Sequence, residues 1–391
     1  MKSFNINIKL ISQEAIEIIK QLKKNGYEAF LVGGCIRDLL LERTPKDFDI
    51  ATNALPDQVH KIFKSSRIIG RRFIIVHIRL NNQIYEITTF RKKPKRVTKM
   101  RNGVVLDNDY GTIEQDAERR DFTMNAIYFD PIKNKLFDFY SGVEDIKNKT
   151  INFIGPYKRR IIEDPIRILR AIRFSAKLNF KISAPEKQLL NHLYLLREVP
   201  ASRIFDELMK FFLTGHGYRS LKTLQKFKLL NFFFPFADEA TIINDKVFIT
   251  GLQNTDTRVK NNKNVHPGFF LAILLWQDFK TKYTFSNKIE NHKLTDNIEN
   301  FFKTNNLLFT NNRFVEYVTE VWKLQPLFLV SKPRSIYRLS NHPRFRAAYD
   351  FLLLRCSAEE ENSDIATWWT AWQEVDESSR KIMLDNGIVN A

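Results

Sequence analysis

Two carboxylates one residue apart, in Asp47-Phe48-Asp49-Ile50, are the first residues in this chain whose types and spacing suggest chemistry. On a strand, both aspartates point to one face while Phe48 and Ile50 bury on the other. Upstream, Gly33-Gly34 breaks an apolar run, allowing positive φ and close approach of backbone N–H groups to a ligand. Hard oxygen donors beside such a turn suit a divalent cation and a phosphate together. Each half alone is a weak signal, since D-x-D occurs on solvated loops and Gly-Gly is more often only a turn.

The elements that must position these groups can be read outward from them. Ser12 to Lys24 has the spacing of an amphipathic helix, with Ile16, Ile19 and Leu22 on one face. Ala29 to Val32 reads as a short buried strand, and Cys35 to Leu41 as a helix carrying Arg37 and Asp38. Phe73 to Leu80 and Ile84 to Phe90 flank Asn81-Asn82-Gln83 as a β-hairpin. In its second strand Ile84, Glu86 and Thr88 share a face. A glutamate in a strand otherwise built for burial needs a reason, the simplest being an edge strand with Glu86 in water. His60 and His77 have no nearby metal-ligating partner in sequence and read as ordinary surface histidines.

Arg91 to Arg101 places seven basic residues in eleven positions. Such a run is a solvated loop, a grip on a phosphate backbone, or both. Thr112 and Gln115 have capping-box spacing for a helix that ends in Arg119-Arg120-Asp121. From about Tyr157 the pattern turns helical. In EDPIRILR, Asp164 suits an N-cap and Pro165 the first helical position, with Glu163, Arg167 and Arg170 on one face. The helix PASRIFDELMKFF offers Arg203 and Lys210 to RNA phosphates, and Phe232 to Phe236 reads as core.

GG-x-x-RD followed by DFD closely resembles the signature of the nucleotidyltransferase branch that contains bacterial poly(A) polymerases and CCA-adding enzymes. RRDFT-x-N at Arg119 to Asn125 and E-D-x-x-R at Glu163 to Arg167 are similar to two further motifs of that family. The resemblance covers nearly the whole chain, and its C-terminal half resembles the poly(A) polymerases more than the CCA-adding enzymes. It implies an α+β N-terminal nucleotidyltransferase domain, a mixed sheet with helices, followed by an all-α C-terminal region. The expected divisions are a catalytic head over 1–152, a nucleotide-selecting neck over 153–215 and an RNA-binding body over 216–391.

By the same resemblance, Asp47 and Asp49 would hold two Mg²⁺ ions, with Mn²⁺ as a substitute, and Glu86 would be the third carboxylate. Gly33, Gly34 and Arg37 would cradle the phosphates, with Asp38 also among the nucleotide-binding residues. Arg119, Asp121, Asn125, Asp164, Arg167 and Arg170 would hold or select ATP. RNA 3′ ends would be gripped by Arg91, Lys92, Lys93, Lys95, Arg96, Lys99, Arg101, Arg203 and Lys210. The implied activity is template-independent transfer of AMP from ATP to an RNA 3′-hydroxyl. The alternatives are CCA addition to tRNA, or a non-catalytic RNA-binding protein on a transferase scaffold. Antibiotic-modifying nucleotidyltransferases share the fold core, but the EDPIR helix is not expected of them. Two departures from the family pattern are Cys35, where glycine is common, and the absence of a recognisable arginine-rich C-terminal tail.

Bulk properties agree with this picture. The chain has 391 residues with 62 Lys+Arg against 44 Asp+Glu, a net charge of +18, which favours a polyanionic partner. Two cysteines exclude a disulfide framework and a cysteine zinc site. No signal peptide or membrane span is visible, so the expectation is a cytoplasmic monomer without a membrane partner, with RNA-decay or RNA-chaperone proteins as candidate partners.

Overall fold

The Ser12 hydroxyl accepts a hydrogen bond from the Ala15 N–H and starts α1 (Gln13–Lys24), whose Ile16, Ile19 and Leu22 stripe is buried as its spacing predicts. β1 (Ala29–Val32) follows with all four residues buried. The computed structural model describes residues 6–70, 74–81, 83–93, 109–235, 237–283, 285, 291–304, 312–329 and 332–386. Lys95, Arg96, Lys99 and Arg101 lie outside the described residues.

After β1 the chain forms α2 (Gly34–Leu40), β2 (Asp49–Thr52), α3 (Pro56–Ile62), β3 (Arg67–Ile69), β4 (Ile75–Leu80) and β5 (Gln83–Thr89). The capping box of Thr112 and Gln115 forms as expected and starts α4 (Ile113–Arg119). A short 3₁₀ turn, Thr123–Asn125, leads into β6 (Ile127–Asp130) and β7 (Lys135–Asp138). α5 (Gly142–Lys147), α6 (Tyr157–Glu163) and α7 (Ile166–Leu178) complete the frame of the site.

The strands lie in the order β3-β4-β5-β2-β1-β6-β7. β2 and β5 run parallel, and every other pair is antiparallel, so the sheet is mixed. One of its faces is sealed by Phe30, Phe90 and Tyr128, whose rings meet 6.2 to 6.5 Å apart.

Two local expectations are corrected. Asp47 and Phe48 approach β2 without belonging to it, yet the alternation holds, with Phe48 and Ile50 buried and Asp47 exposed. Glu163 and Arg167 do not share one helix. Pro165 drives the residue before it into an extended conformation, with Asp164 at φ −153° and ψ 95°. Asp164 therefore closes α6, and Pro165 itself precedes the first turn of α7.

The chain groups into two compact units, Met1–Leu196 and Arg197–Ala391. The segment expected as a neck, 153–215, is divided between them. Among the described residues the second unit is entirely helical. Phe233 and Phe234 are buried as expected, and Phe236 lies outside the described residues. The polar stretch Asn291–Thr304 forms a 14-residue helix. Trp276, Phe279 and Trp322 form one aromatic core, and Trp368, Trp369 and Trp372 of helix Ser363–Glu374 anchor another with Phe328 and Phe345. No described helix is long and apolar enough to cross a membrane.

Candidate active site

Register brings the acidic residues together. In the parallel β2–β5 pair Asp49 stands directly opposite Glu86, and in the antiparallel β1–β2 pair it stands opposite Val32. Partners in register project to the same face. Along β5, Tyr85, Ile87 and Thr89 are buried while Glu86 is exposed, as the alternation requires. β5 is internal, between β4 and β2, so an edge position does not account for Glu86. Its carboxylate faces an open side of the sheet, with His77 Nε2 3.4 Å away on β4. The sequence missed that pairing, because the register of the β4–β5 hairpin, not residue type, creates it.

Gly33 takes φ +80°, and a Cβ there would lie 3.5 Å from Arg120 Nη1 and 3.7 Å from Asp49 Oδ2. Only Gly33 of the glycine pair needs its freedom, since Gly34 simply begins α2. Asp49 is pushed up to about 6, first by burial and then by the Glu86 charge, with Asp47 adding and Arg120 opposing. Those three carboxylates repel one another across one face, a donor chemistry that suits a hard divalent cation. Among the described residues, however, no three His, Cys, Asp or Glu side chains are gathered into a ready metal cage. Cys35 is an inert neighbour: its thiol is pushed up to about 12, mainly by burial, and it donates to the Val32 carbonyl.

Five of the motif residues expected around the nucleotide form one hydrogen-bonded chain. Arg37 donates from Nε and Nη2 to Asp38 at 2.9 and 2.8 Å, and from Nη1 to Asn125 Oδ1 at 2.9 Å. Asn125 Nδ2 donates to Asp121 Oδ1 at 3.1 Å, and Arg170 Nε to Asp121 Oδ2 at 2.8 Å. Burial alone would raise Asp121, but Arg170, Asn125 and the Phe122 N–H hold it at about 2. Arg37, Arg170 and Arg173 also crowd the Phe174 ring, 4.4 to 5.7 Å from its centroid. Arg37 is only 3% exposed, which makes it a strut between α2 and Asn125 rather than an open phosphate ligand.

Sequence reasoning passed over Arg120, the second arginine of RRDFT. Its guanidinium lies beside Gly33 and is braced by Asp116 and by the Tyr128 hydroxyl. Its neighbour Arg119 offers its backbone carbonyl to Arg160 and Arg167. Asp164 is half-buried, and the Arg167 side chain, only 12% exposed, reaches Glu163 from Nη1 at 3.3 Å.

Of the residues assigned to RNA, Arg91 bridges to Tyr110, and Lys92 N–H bonds the Asp109 carbonyl at 2.7 Å, so the basic run leaves from a closed base. Lys93 pairs with Glu118. Arg203 and Lys210 lie two turns apart on helix Ala201–Phe212, where Lys210 reaches buried Glu207.

Comparison with known proteins decides the family. The model described as the Poly A polymerase head domain matches residues 29–152. Poly(A) polymerase I of Haemophilus influenzae is 35% identical, over 95% of this chain and 86% of that protein. The chain belongs to the poly(A) polymerase family. Two further models agree, the probable RNA and SrmB-binding site of polymerase A over 179–241 and the polymerase A arginine-rich C-terminus over 296–389. The last spans a region in which this sequence shows no run of arginines. Its arginines are dispersed along helices, among them Arg338, Arg346 and Arg355, rather than gathered in a run that composition reveals. A CCA-adding enzyme of Listeria monocytogenes is 36% identical, but over only 59% of this chain and 58% of its own. The Bacillus stearothermophilus CCA-adding enzyme solved in complex with CTP shares the fold, with a TM-score of 0.52 over 95% of this chain and 99% of its own, at 24% identity.

Proposed function

We propose that this protein is a polynucleotide adenylyltransferase, adding AMP from ATP to an RNA 3′-hydroxyl without a template and releasing pyrophosphate. The observation that carries the choice over CCA addition is the reach of the likeness. It extends over 95% of the chain to a poly(A) polymerase I, against 59% to the CCA-adding enzyme.

Asp47 and Asp49 would hold Mg²⁺ or Mn²⁺, with Glu86 turning from His77 to assist. Bound there, divalent cations would acidify the 3′-hydroxyl and neutralise the departing pyrophosphate. Gly33 and Gly34 bring backbone close to the phosphates, and Arg120 and Arg119 supply positive charge alongside. Positioning and charge neutralisation are the main demands of such a displacement, so no histidine base is required. Asp164 and Arg167 can pair with the N6 donor and N1 acceptor of adenine. Guanine presents the reverse order and leaves Arg167 facing a donor.

The Arg91–Arg101 run, Arg203 and Lys210 would hold RNA. We place the reaction in the cytoplasm, with the protein acting as a monomer and RNA-decay or RNA-chaperone proteins as candidate partners. The head 1–152, neck 153–215 and body 216–391 remain our functional division. The deciding experiment offers ATP, CTP, GTP and UTP separately on a generic oligoribonucleotide and on a tRNA lacking its terminal CCA. Long A tails on the generic RNA are expected. Two C and one A added to the tRNA, followed by arrest, would replace this reading with CCA addition.

A further inference from the structure

Arg160 on α6 matches none of the expected nucleotide ligands, yet it is 3% exposed. Its Nη2 donates to the Arg119 carbonyl at 3.0 Å and to the Arg120 carbonyl, while Nη1 donates to Glu163 at 2.6 Å. The two carbonyls end α4, where acceptors lack intrahelical partners and a cation is favoured. The location is nevertheless costly. Burial, followed by the Arg167 charge, pulls Arg160 below the usual arginine range against Glu163, and its Nε has no hydrogen-bond partner. Arg167 adds a second tie to the same place, from Nη1 to the Arg160 carbonyl at 2.7 Å and to Glu163 at 3.3 Å.

We infer that Arg160 is a positioning residue that locks the Arg119–Asp121 segment to the Asp164–Arg167 turn, so that the two sides of the nucleotide pocket keep one register. The inference rests on the adenylyltransferase reading for which side holds which part of ATP. A planar guanidinium spans two carbonyls and a carboxylate at once, whereas a lysine ammonium at that point cannot reach all three in the same geometry. Without the lock, Asp164 and Arg167 would drift relative to Asp121, and nucleotide affinity and choice would suffer before RNA affinity did.

The test compares wild type with Arg160→Lys and Arg160→Met, reading kcat, KM for ATP, KM for RNA, the ATP:CTP preference and Tm. In Arg160→Met, KM for ATP should rise about tenfold and the ATP:CTP preference should fall by a similar factor, with KM for RNA unchanged. Arg160→Lys should recover part of both losses. If Arg160→Met does not fold, Arg160→Lys is read alone, well below its Tm. A drop in Tm with KM for ATP and the ATP:CTP ratio both at wild-type values would overturn the inference and leave Arg160 a helix-end clamp. Should wild type itself add no A to RNA, the adenylyltransferase reading fails separately. Calorimetric titration of ATP and of CTP into the same three proteins then decides Arg160, since unchanged affinities in both variants would sink it.

Discussion

The two ends of the site are built on opposite electrostatic terms. At the β2–β5 end, Asp47, Asp49 and Glu86 repel one another, and Asp49 is raised to about 6 as a result of burial and that repulsion. At the α7 end Arg170 pairs with Asp121, and Asp121 is held at about 2. One end stores a mismatch that a cation would relieve, and the other has most of its charges paired within the protein. Substitutions should therefore act differently at the two ends: removing a charge from the acidic end relieves the fold while stopping the reaction, and removing one from the paired end harms both.

The largest effect is expected from Asp49→Asn and Asp47→Asn. Each should lower AMP incorporation by about a thousandfold or more, while Tm stays level or rises. Either variant with near-wild-type turnover would break the contrast at its acidic end. Arg170→Met comes next. It strands the Asp121 carboxylate and should cost about 2 kcal/mol in a denaturant titration, less than a fully buried pair because Arg170 is 30% exposed. Stability equal to wild type would show that the chain through Asn125 carries Asp121 unaided.

The pH response should differ in sign between the ends. The Asp49 carboxyl is raised from 3.8 to about 6, so the folded state holds its proton more tightly than the unfolded one. Its contribution is greatest below about pH 4 and falls away as pH climbs to about 6, by up to roughly 3 kcal/mol. Asp121, lowered to about 2, contributes stability above about pH 4 that is lost as pH falls toward 2. Thermal melts with and without Mg²⁺ at pH 5 and pH 7.5 read the first of these. The Mg²⁺ gain should be larger at pH 7.5, and equal gains would count against Asp49 as its target. The smallest effect on the chemistry is expected from the basic run, whose cations belong to neither set of charges. Replacing Lys95, Arg96, Lys99 and Arg101 with serine should lower the salt slope of single-stranded RNA binding by up to about 3, with little change in KM for ATP.

Much of this contrast was legible in residue order, and the illegible part has a physical pattern. Short-range rules performed well. The buried strand at Ala29–Val32, the Thr112–Gln115 capping box and the exposed face of β5 all follow from spacing alone. What spacing does not contain is pairing between distant strands. Nothing local says that β2 inserts between β5 and β1, and that insertion is what sets Glu86 opposite Asp49. Arginines were the other blind spot, because the same side chain serves as ligand, strut or clamp according to what surrounds it. Arg37 is a strut, while Arg120 beside Gly33 and Arg160 beneath the α4 end take roles that spacing alone does not assign. At Asp164, the capping preference of aspartate lost to the backbone restriction imposed by the following proline.

The closed base of the basic run bears on how this protein can be altered. The Lys92 N–H to Asp109 carbonyl and Gly111 N–H to Phe90 carbonyl bonds hold residues 90–92 beside 109–111, and Gly111 is needed there because a Cβ would come within 2.9 Å of Lys92 Cβ and 3.2 Å of its backbone nitrogen. Ends held at a fixed separation make the length between them nearly neutral, since each doubling of a closed loop adds only about 0.6 kcal/mol. This is accordingly a natural graft point. A reporter peptide or a second RNA-binding module spliced between Lys93 and Asp109 should leave the sheet and the acidic site undisturbed, provided Gly111 and its anchors are kept.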